Sequence, residues 1–312
     1  MRQCLSNENE ISVYIDSTMP VFSSRLIRMI TKAGIKAKEL APPRKESEIL
    51  GWAWELIKPG PKIVHYMWGN YRPLVYIIPR LLGKKVIVHW IGTDVMYATS
   101  TKEWILNSYL RKIAYKIVDL HLVDFDPLAI ELGSIGIDAE VIPLMPDVPL
   151  LEYDLVWPRE NSVFVYLPEK EQEFYGSEIV FKVAKNLPDI EFLITGHSGK
   201  HAPRLPNIEY LGYVDDLESV WRRVKIYLRL TKHDGLSHSV IEALARGKHV
   251  IWSYEFPYCH KASTFQETID ALRNIFMENQ PNVEAARYVR YTFDPVKIVD
   301  NLKQHYLKIL KY

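Results

Sequence analysis

Short runs of β-branched and aromatic residues alternate along almost the whole chain with stretches of helical periodicity. This alternation restricts the fold more than any other feature. A strand followed by a helix and then a strand pairs in parallel, because a crossover returns the chain to the same end of the sheet. The pattern predicts strands at 11–15, 35–38, 62–66, 85–89, 120–123 and 139–142. Helices are expected at 23–33, 74–82, 102–117 and 127–135. The tract 143–158, with Pro143, Pro146, Pro149 and Pro158, reads as a linker. A second series follows, with strands at 162–166, 191–195, 208–211, 226–229 and 250–252. Its helices are expected at 178–186, 217–224, 240–246 and 265–276, and an amphipathic helix at 295–310 ends the chain. The expected fold class is α/β, with two doubly wound Rossmann-like domains, 1–150 and 151–294, and a terminal helix in 295–312.

Composition removes several function classes. At 312 residues the chain suits two domains of ~150 residues. Its 39 Lys and Arg against 38 Asp and Glu leave no field for bulk nucleic-acid binding, so no nucleic-acid partner is expected. Cys4 and Cys259 form neither a disulfide framework nor a CxxC pair, which fits a cytoplasmic protein. The N-terminus MRQCLSNENE does not read as a signal peptide. The apolar stretch 73–83 is broken by Arg80 and falls short of the ~18 residues a membrane span needs. The helix at 102–117 sets Lys102, Arg111, Lys112 and Lys116 beside Trp104, Ile105, Leu106, Leu110, Ile113 and Ile117. Such a helix could lie peripherally on an anionic membrane, or pack one face on the core.

The segment RLTKHDGLSHSVIEALARGKHV, 229–250, carries the chemistry. Asp234 and Glu242 stand on either side of a Gly-Leu-Ser turn, and Val240, Ile241, Leu244 and Ala245 form a core-facing helical stripe. One carboxylate then sits on a loop and the other in the first turn of the helix. Free N–H groups at a helix start suit a phosphate, and carboxylates suit sugar hydroxyls. A second reading makes Ser239–Glu242 a capping box, with Glu242 bonding back to the Ser239 amide.

The segment resembles the acidic-x7-acidic signature of retaining glycosyltransferases of family 4, which have the GT-B fold. Asp234-Gly235 stands for the first E-G, Glu242-Ala243 for the E-A, and Gly247-Lys248-His249-Val250 for G-x-P-V. Asp replaces the first Glu, Ser237 a Gly and His249 the Pro. The stretches 189–216 and 86–95 are similar to further family segments. The family's Gly-Gly loop after the first strand is replaced by Asp16-Ser17-Thr18-Met19-Pro20. Two domains facing a cleft are implied, with the terminal helix returning to the first.

The resemblance implies that His89, before Gly92-Thr93-Asp94, and Asp234 contact the donor sugar. Otherwise His89 would be a structural histidine held by Asp94. Glu242 would take the ribose hydroxyls, Gly235, Leu236, Ser237 and His238 would line the diphosphate, and Tyr213-Val214 would lie near the base. The family's loop Lys is replaced by Tyr175, so Lys170, or Arg229 with Lys232, would supply the cation. Asp124-Phe125-Asp126 spells D-x-D, but Asp126-Pro127 reads as a helix start, and no obligatory metal is expected. No residue looks like a dedicated nucleophile with its base. The implied activity is metal-independent, retaining transfer from a nucleotide-diphosphate sugar, a co-substrate with no further cofactor. The acceptor would be a hydroxyl on a glycan, lipid-linked or protein-linked. The alternatives are a sugar-nucleotide-binding protein on a decayed scaffold and an epimerase of the same fold.

Overall fold

A computed structural model describes residues 11–69, 72–100, 105–144 and 153–311, with the side chains of 105–109 left out. The chain divides into two compact units, Met1–Asp147 with Phe293–Tyr312, and Val148–Thr292.

The first unit runs β1 (Ser12–Asp16), α1 (Pro20–Lys32), β2 (Lys36–Leu40), α2 (Ile49–Ile57), β3 (Ile63–Tyr66), α3 (Pro73–Leu81) and β4 (Lys85–Trp90). It continues with α4 (Thr93–Thr99), α5 (Ile105–Lys116), β5 (Leu120–Val123), α6 (Asp126–Gly133) and β6 (Glu140–Val141). In the second unit come β7 (Ser162–Tyr166), α7 (Ser177–Asn186), β8 (Glu191–Thr195), β9 (Ile208–Gly212), α8 (Leu217–Trp221) and β10 (Ile226–Arg229). Then follow α9 (His238–Ala245), β11 (His249–Trp252), β12 (Cys259–Lys261), α10 (Phe265–Glu278) and α11 (Val283–Thr292). The last helix, α12 (Pro295–Lys311), belongs to the first unit.

Each unit holds one six-stranded sheet, ordered β2-β1-β3-β4-β5-β6 and β12-β11-β10-β7-β8-β9. Every strand pairing is parallel. The central strands are buried on both faces, as Ile63–Tyr66 and His249–Trp252 show, because helices cover both sides. Right-handed crossovers put α1 on one face of the first sheet and α2, α3 and α5 on the other. α12 packs beside α1.

Four elements escape the sequence pattern: α2, α4, α11 and β12. In α2, ILGWAWELI, apolar residues surround the whole helix, so no 3.6-residue stripe stands out. α1 starts earlier than expected because Pro20 and its fixed φ suit a first turn. Lys102 and Trp104 of the expected helix 102–117, and Pro146 and Pro149 of the linker, lie outside the described residues.

Packing is tightest where Gly69 meets Trp90. A Cβ on Gly69 would stand 1.9 Å from Trp90 Cε3. That ring cannot swing away, because it is fully buried and its Nε1–H donates to His121 Nδ1 at 3.1 Å. Gly69→Ala is therefore expected to lower unfolding free energy by about 3 kcal/mol. Urea denaturation checks this, and an unchanged midpoint would contradict the packing argument.

Candidate functional site

In an open parallel sheet, ligands bind outside the carboxyl ends of the strands, where the strand order reverses. In the second sheet that point lies between β7 and β10. The loop 167–176 leaves β7 there, and the loop 230–237 leaves β10. The two are tied together. Lys232 N–H donates to the Phe174 carbonyl at 2.9 Å. Gly176, at φ 75°, lies so close to Leu230 that an added Cβ would come within 2.6 Å of its Cβ and carbonyl oxygen. Tyr175 sits beside Arg229, with the guanidinium carbon 5.9 Å from its ring centre.

Asp234 is the anchor of this edge. Its carboxylate receives Arg229 through both Nε and Nη2, the latter at 2.9 Å. Thr231 Oγ1–H donates to it at 3.1 Å and Trp252 Nε1–H at 3.2 Å. Burial works against the charge on Arg229, but Asp234, with Tyr227, holds its pKa above the ordinary guanidinium value. The resemblance assigns Asp234 to a donor sugar; in the structure its oxygens are engaged within the protein. Sequence reasoning missed Thr231 and Trp252, which lie 3 and 18 positions away and meet Asp234 only through the fold.

α9 begins two residues earlier than a Ser239 cap would place it. Its N-cap is Ser237, without a side-chain capping bond, and Ser239 lies inside the first turn. The Ser239 hydroxyl pairs with Tyr227 Oη at 2.7 Å and with Ser237 Oγ at 2.9 Å. The capping-box reading is therefore overturned. Glu242 opens the second helical turn, not the first, and is half-buried near Tyr153. Within the described residues, the N–H groups of Gly235, Leu236, Ser237 and Ser239 have no protein acceptor. His238, also half-buried, is the first helical residue.

The remaining candidates in this unit line the rim. Lys170 and Lys232 are exposed, and neither forms an ion pair among the described residues. Glu169 turns away from Lys170 and accepts Ser198 N–H at 3.0 Å and the Ser198 hydroxyl. These bonds hold its carboxyl below the usual range. Tyr213 is 90% exposed and Val214 half-buried, just after the turn at Gly212. Tyr166, at the end of β7, meets Tyr175 edge-on at 5.5 Å. The structure thus gathers Arg229, Lys232, Asp234 and 235–238 around one switch point.

In the first unit, His89 is fully buried on β4. Its Nε2–H donates to the Ile142 carbonyl at 2.8 Å. Because a carbonyl only accepts, His89 Nδ1 is bare and receives His65 Nε2–H at 3.3 Å. His65 Nδ1 in turn receives the Tyr306 hydroxyl of α12 at 2.7 Å. The two imidazoles stack, 5.4 Å apart and 7° from parallel. Both nitrogens of His89 are therefore used within the protein, and Asp94 is not its partner. Asp94 instead takes N–H groups of Gly69 (2.8 Å), Ile91 (3.1 Å) and Gly92 (2.9 Å), holding the turn that Gly92 makes at φ 139°. At the switch point between β1 and β3, Asp16 accepts Thr18 N–H at 2.8 Å and Met67 N–H at 3.2 Å. An Asx turn thus stands where the family has Gly-Gly.

Asp126 is the first residue of α6 and Phe125 its N-cap, one position off the expected start, and no side-chain cap forms. Among the described residues, no group of three or more His, Cys, Asp or Glu is placed to hold a metal. Nor is any described helix long and apolar enough to cross a membrane.

Neither a protein-family model nor a curated protein matches the chain. Solved structures do. The Anabaena protein HepE in complex with UDP superposes with TM-score 0.71 at 10% identity, over 95% of this chain and 99% of that one. The lipopolysaccharide outer core galactosyltransferase WaaB, in its apo form, gives 0.71 at 12% identity, over 94% and 98%. The sucrose-phosphate synthase of Thermosynechococcus elongatus gives 0.71 at 12%, over 97% and 100%. The fold is that of the GT-B glycosyltransferases.

The buried histidines give the first unit a pH dependence. Burial pushes His89 down to about 4, against one favourable bond to Ile142. His121 is likewise pushed down to about 4, and His65 falls well below its usual value. The unfolded chain titrates near 6.5, so between about 6.5 and 4 it binds more protons than the native state. Stability therefore falls as pH drops through that window. Asp94, pushed up to about 6 by burial, works the other way but is one group against three. His89 and His121 contribute at most ~3 kcal/mol each. Urea midpoints from pH 7 to 4 are expected to fall, more steeply in the wild type than in His89→Gln. Equal slopes would remove His89 from the account.

Proposed function

We propose that this protein is a retaining glycosyltransferase that moves a sugar from a nucleotide-diphosphate sugar to a hydroxyl acceptor on a glycan, lipid-linked or protein-linked. The observation that carries the reading is the set of acceptor-free N–H groups at Gly235, Leu236, Ser237 and Ser239. They stand at the start of an eight-residue helix, at the switch point of a sheet. Backbone donors in that place suit a diphosphate. Ligands in the solved neighbours support the same chemistry, since HepE is also known in complex with UDP-glucose.

In this reading the leaving diphosphate is met by those N–H groups and by Arg229, whose Nη1 is not used by Asp234. Asp234 is then a positioning residue that aims Arg229, and His89 a positioning residue within the first unit. Glu242 accepts the ribose hydroxyls, and Tyr213-Val214 faces the base. Because no nucleophile–base pair is required, the acceptor attacks from the face the diphosphate leaves, and that phosphate takes the acceptor proton. Charge is met without an obligatory metal, so turnover is expected to survive EDTA. Its complete loss, restored by Mn²⁺, would refute this.

The engagement of Asp234 and His89 within the protein favours a second reading, a nucleotide-sugar-binding protein without turnover. A panel of nucleotide sugars separates the readings. Released nucleotide supports transfer, a changed sugar supports epimerisation, and binding alone supports the second. Glu242→Gln is expected to weaken nucleotide binding by about 1–3 kcal/mol in calorimetry. Unchanged affinity would remove Glu242 from the ribose.

A further inference from the structure

α2 is apolar on two sides. Trp52 and Leu56 face the core, while Leu50, Trp54 and Ile57, at spacings of four and three, point outward. These three are 83%, 63% and 57% exposed. A surface helix with one core-facing stripe needs no second one. The apolar surface continues across the neighbouring helices of the same sheet face. α3 packs against α2 and exposes Leu81 at 79%, and α5 packs against α3 and exposes Leu110 and Ile113.

On α3 and α5 the charges have one sign, while exposed Glu46 and Glu48 just before α2 stand beside exposed Arg44 and Lys45. α3 and α5 contain Arg80, Arg111, Lys112 and Lys116 and no carboxylate. Lys112 and Lys116 are exposed. The one carboxylate of α2, Glu55, lies between Lys38 at 2.5 Å and Lys58 at 2.7 Å, so its charge is balanced. A second copy of this chain, docked face to face, would set cations against cations. An anionic bilayer offers what the face lacks, acyl chains for Leu50, Trp54 and Ile57 and phosphates for the lysines. An indole, apolar in body with one N–H, suits the headgroup boundary.

We propose that the outward face of α2, α3 and α5 docks onto an anionic lipid bilayer. The proposal does not rest on the transfer reading above. The test is co-sedimentation of the full chain with vesicles of phosphatidylcholine alone or mixed with phosphatidylglycerol. Binding to the mixed vesicles is expected, weaker at high salt and much weaker to phosphatidylcholine alone. The triple variant Leu50→Ser, Trp54→Ser, Ile57→Ser is expected to lose binding about tenfold or more, and Lys112→Glu with Lys116→Glu to lose the preference for anionic lipid. Circular dichroism checks that both variants fold, which is expected because they change exposed side chains. Wild-type protein that stays in solution with both vesicles overturns the proposal. So does vesicle binding that the triple variant retains in full. Self-association in light scattering, abolished by the triple variant and without vesicle binding, would make the face a protein interface and overturn it equally.

Discussion

A parallel strand cannot pair with the next without leaving the sheet and coming back, and everything at the functional edge follows from that. Each crossover delivers its strand in the same direction, so all carboxyl ends gather along one edge. Between β7 and β10 the crossovers part in opposite directions. Loops alone must build that edge. Their backbone groups have no ladder to satisfy them, so side chains must do it.

Aspartates perform this task at several strand ends, and two of them, Asp16 and Asp94, are buried. Asp16 holds the turn after β1 and reaches across to Met67. Asp94 gathers the N–H groups of Gly69, Ile91 and Gly92 after β4. At the opposite, amino end of β5, Asp119 receives the Val86 N–H at 2.8 Å and ion pairs from Arg80 and Lys85. Asp234, after β10, gathers side chains instead, with Arg229 as its main partner. A lone buried carboxylate would be costly, and burial does push Asp94 up to about 6 despite its donors. Each aspartate is therefore worth keeping only if its donors are fixed. Removing a donor would leave an uncompensated charge, so these loops resist change.

Much of the fold was legible because parallel strands buried on both faces read as short apolar runs, and β5, β7, β8 and β10 fall at the predicted positions. α2 was not legible, because a helix apolar all round has no period, and its outward stripe is a surface feature and not a folding one. The motif loop was legible in outline, since Gly-Leu-Ser before an apolar stripe marks a helix start. What the sequence did not disclose was pairing at a distance. Nothing near His65 points to Tyr306, 241 positions on, because that contact exists only once α12 returns to the first sheet. Likewise the local spacing of Ser239 and Glu242 suited a cap, while in the structure Ser239 lies inside the first turn and its hydroxyl pairs with Tyr227 of β10.

The departures from the resembled motif are connected, not scattered. Where a loop Lys is expected, Tyr175 stands instead, and its ring lies beside Arg229. A cation lost from the loop after β7 is thus met by one at the end of β10. Arg229 is planar and offers donors on several edges, so it can hold Asp234 with Nε and Nη2 while Nη1 donates to Tyr227 Oη at 3.5 Å. Lysine in its place could not do both. Asp in place of the first Glu fits the same arrangement, because the shorter side chain keeps the carboxylate within reach of Arg229, Thr231 and Trp252 together. The two substitutions are one exchange, in which the cation beside the switch point stands at the end of β10 and not on the loop after β7.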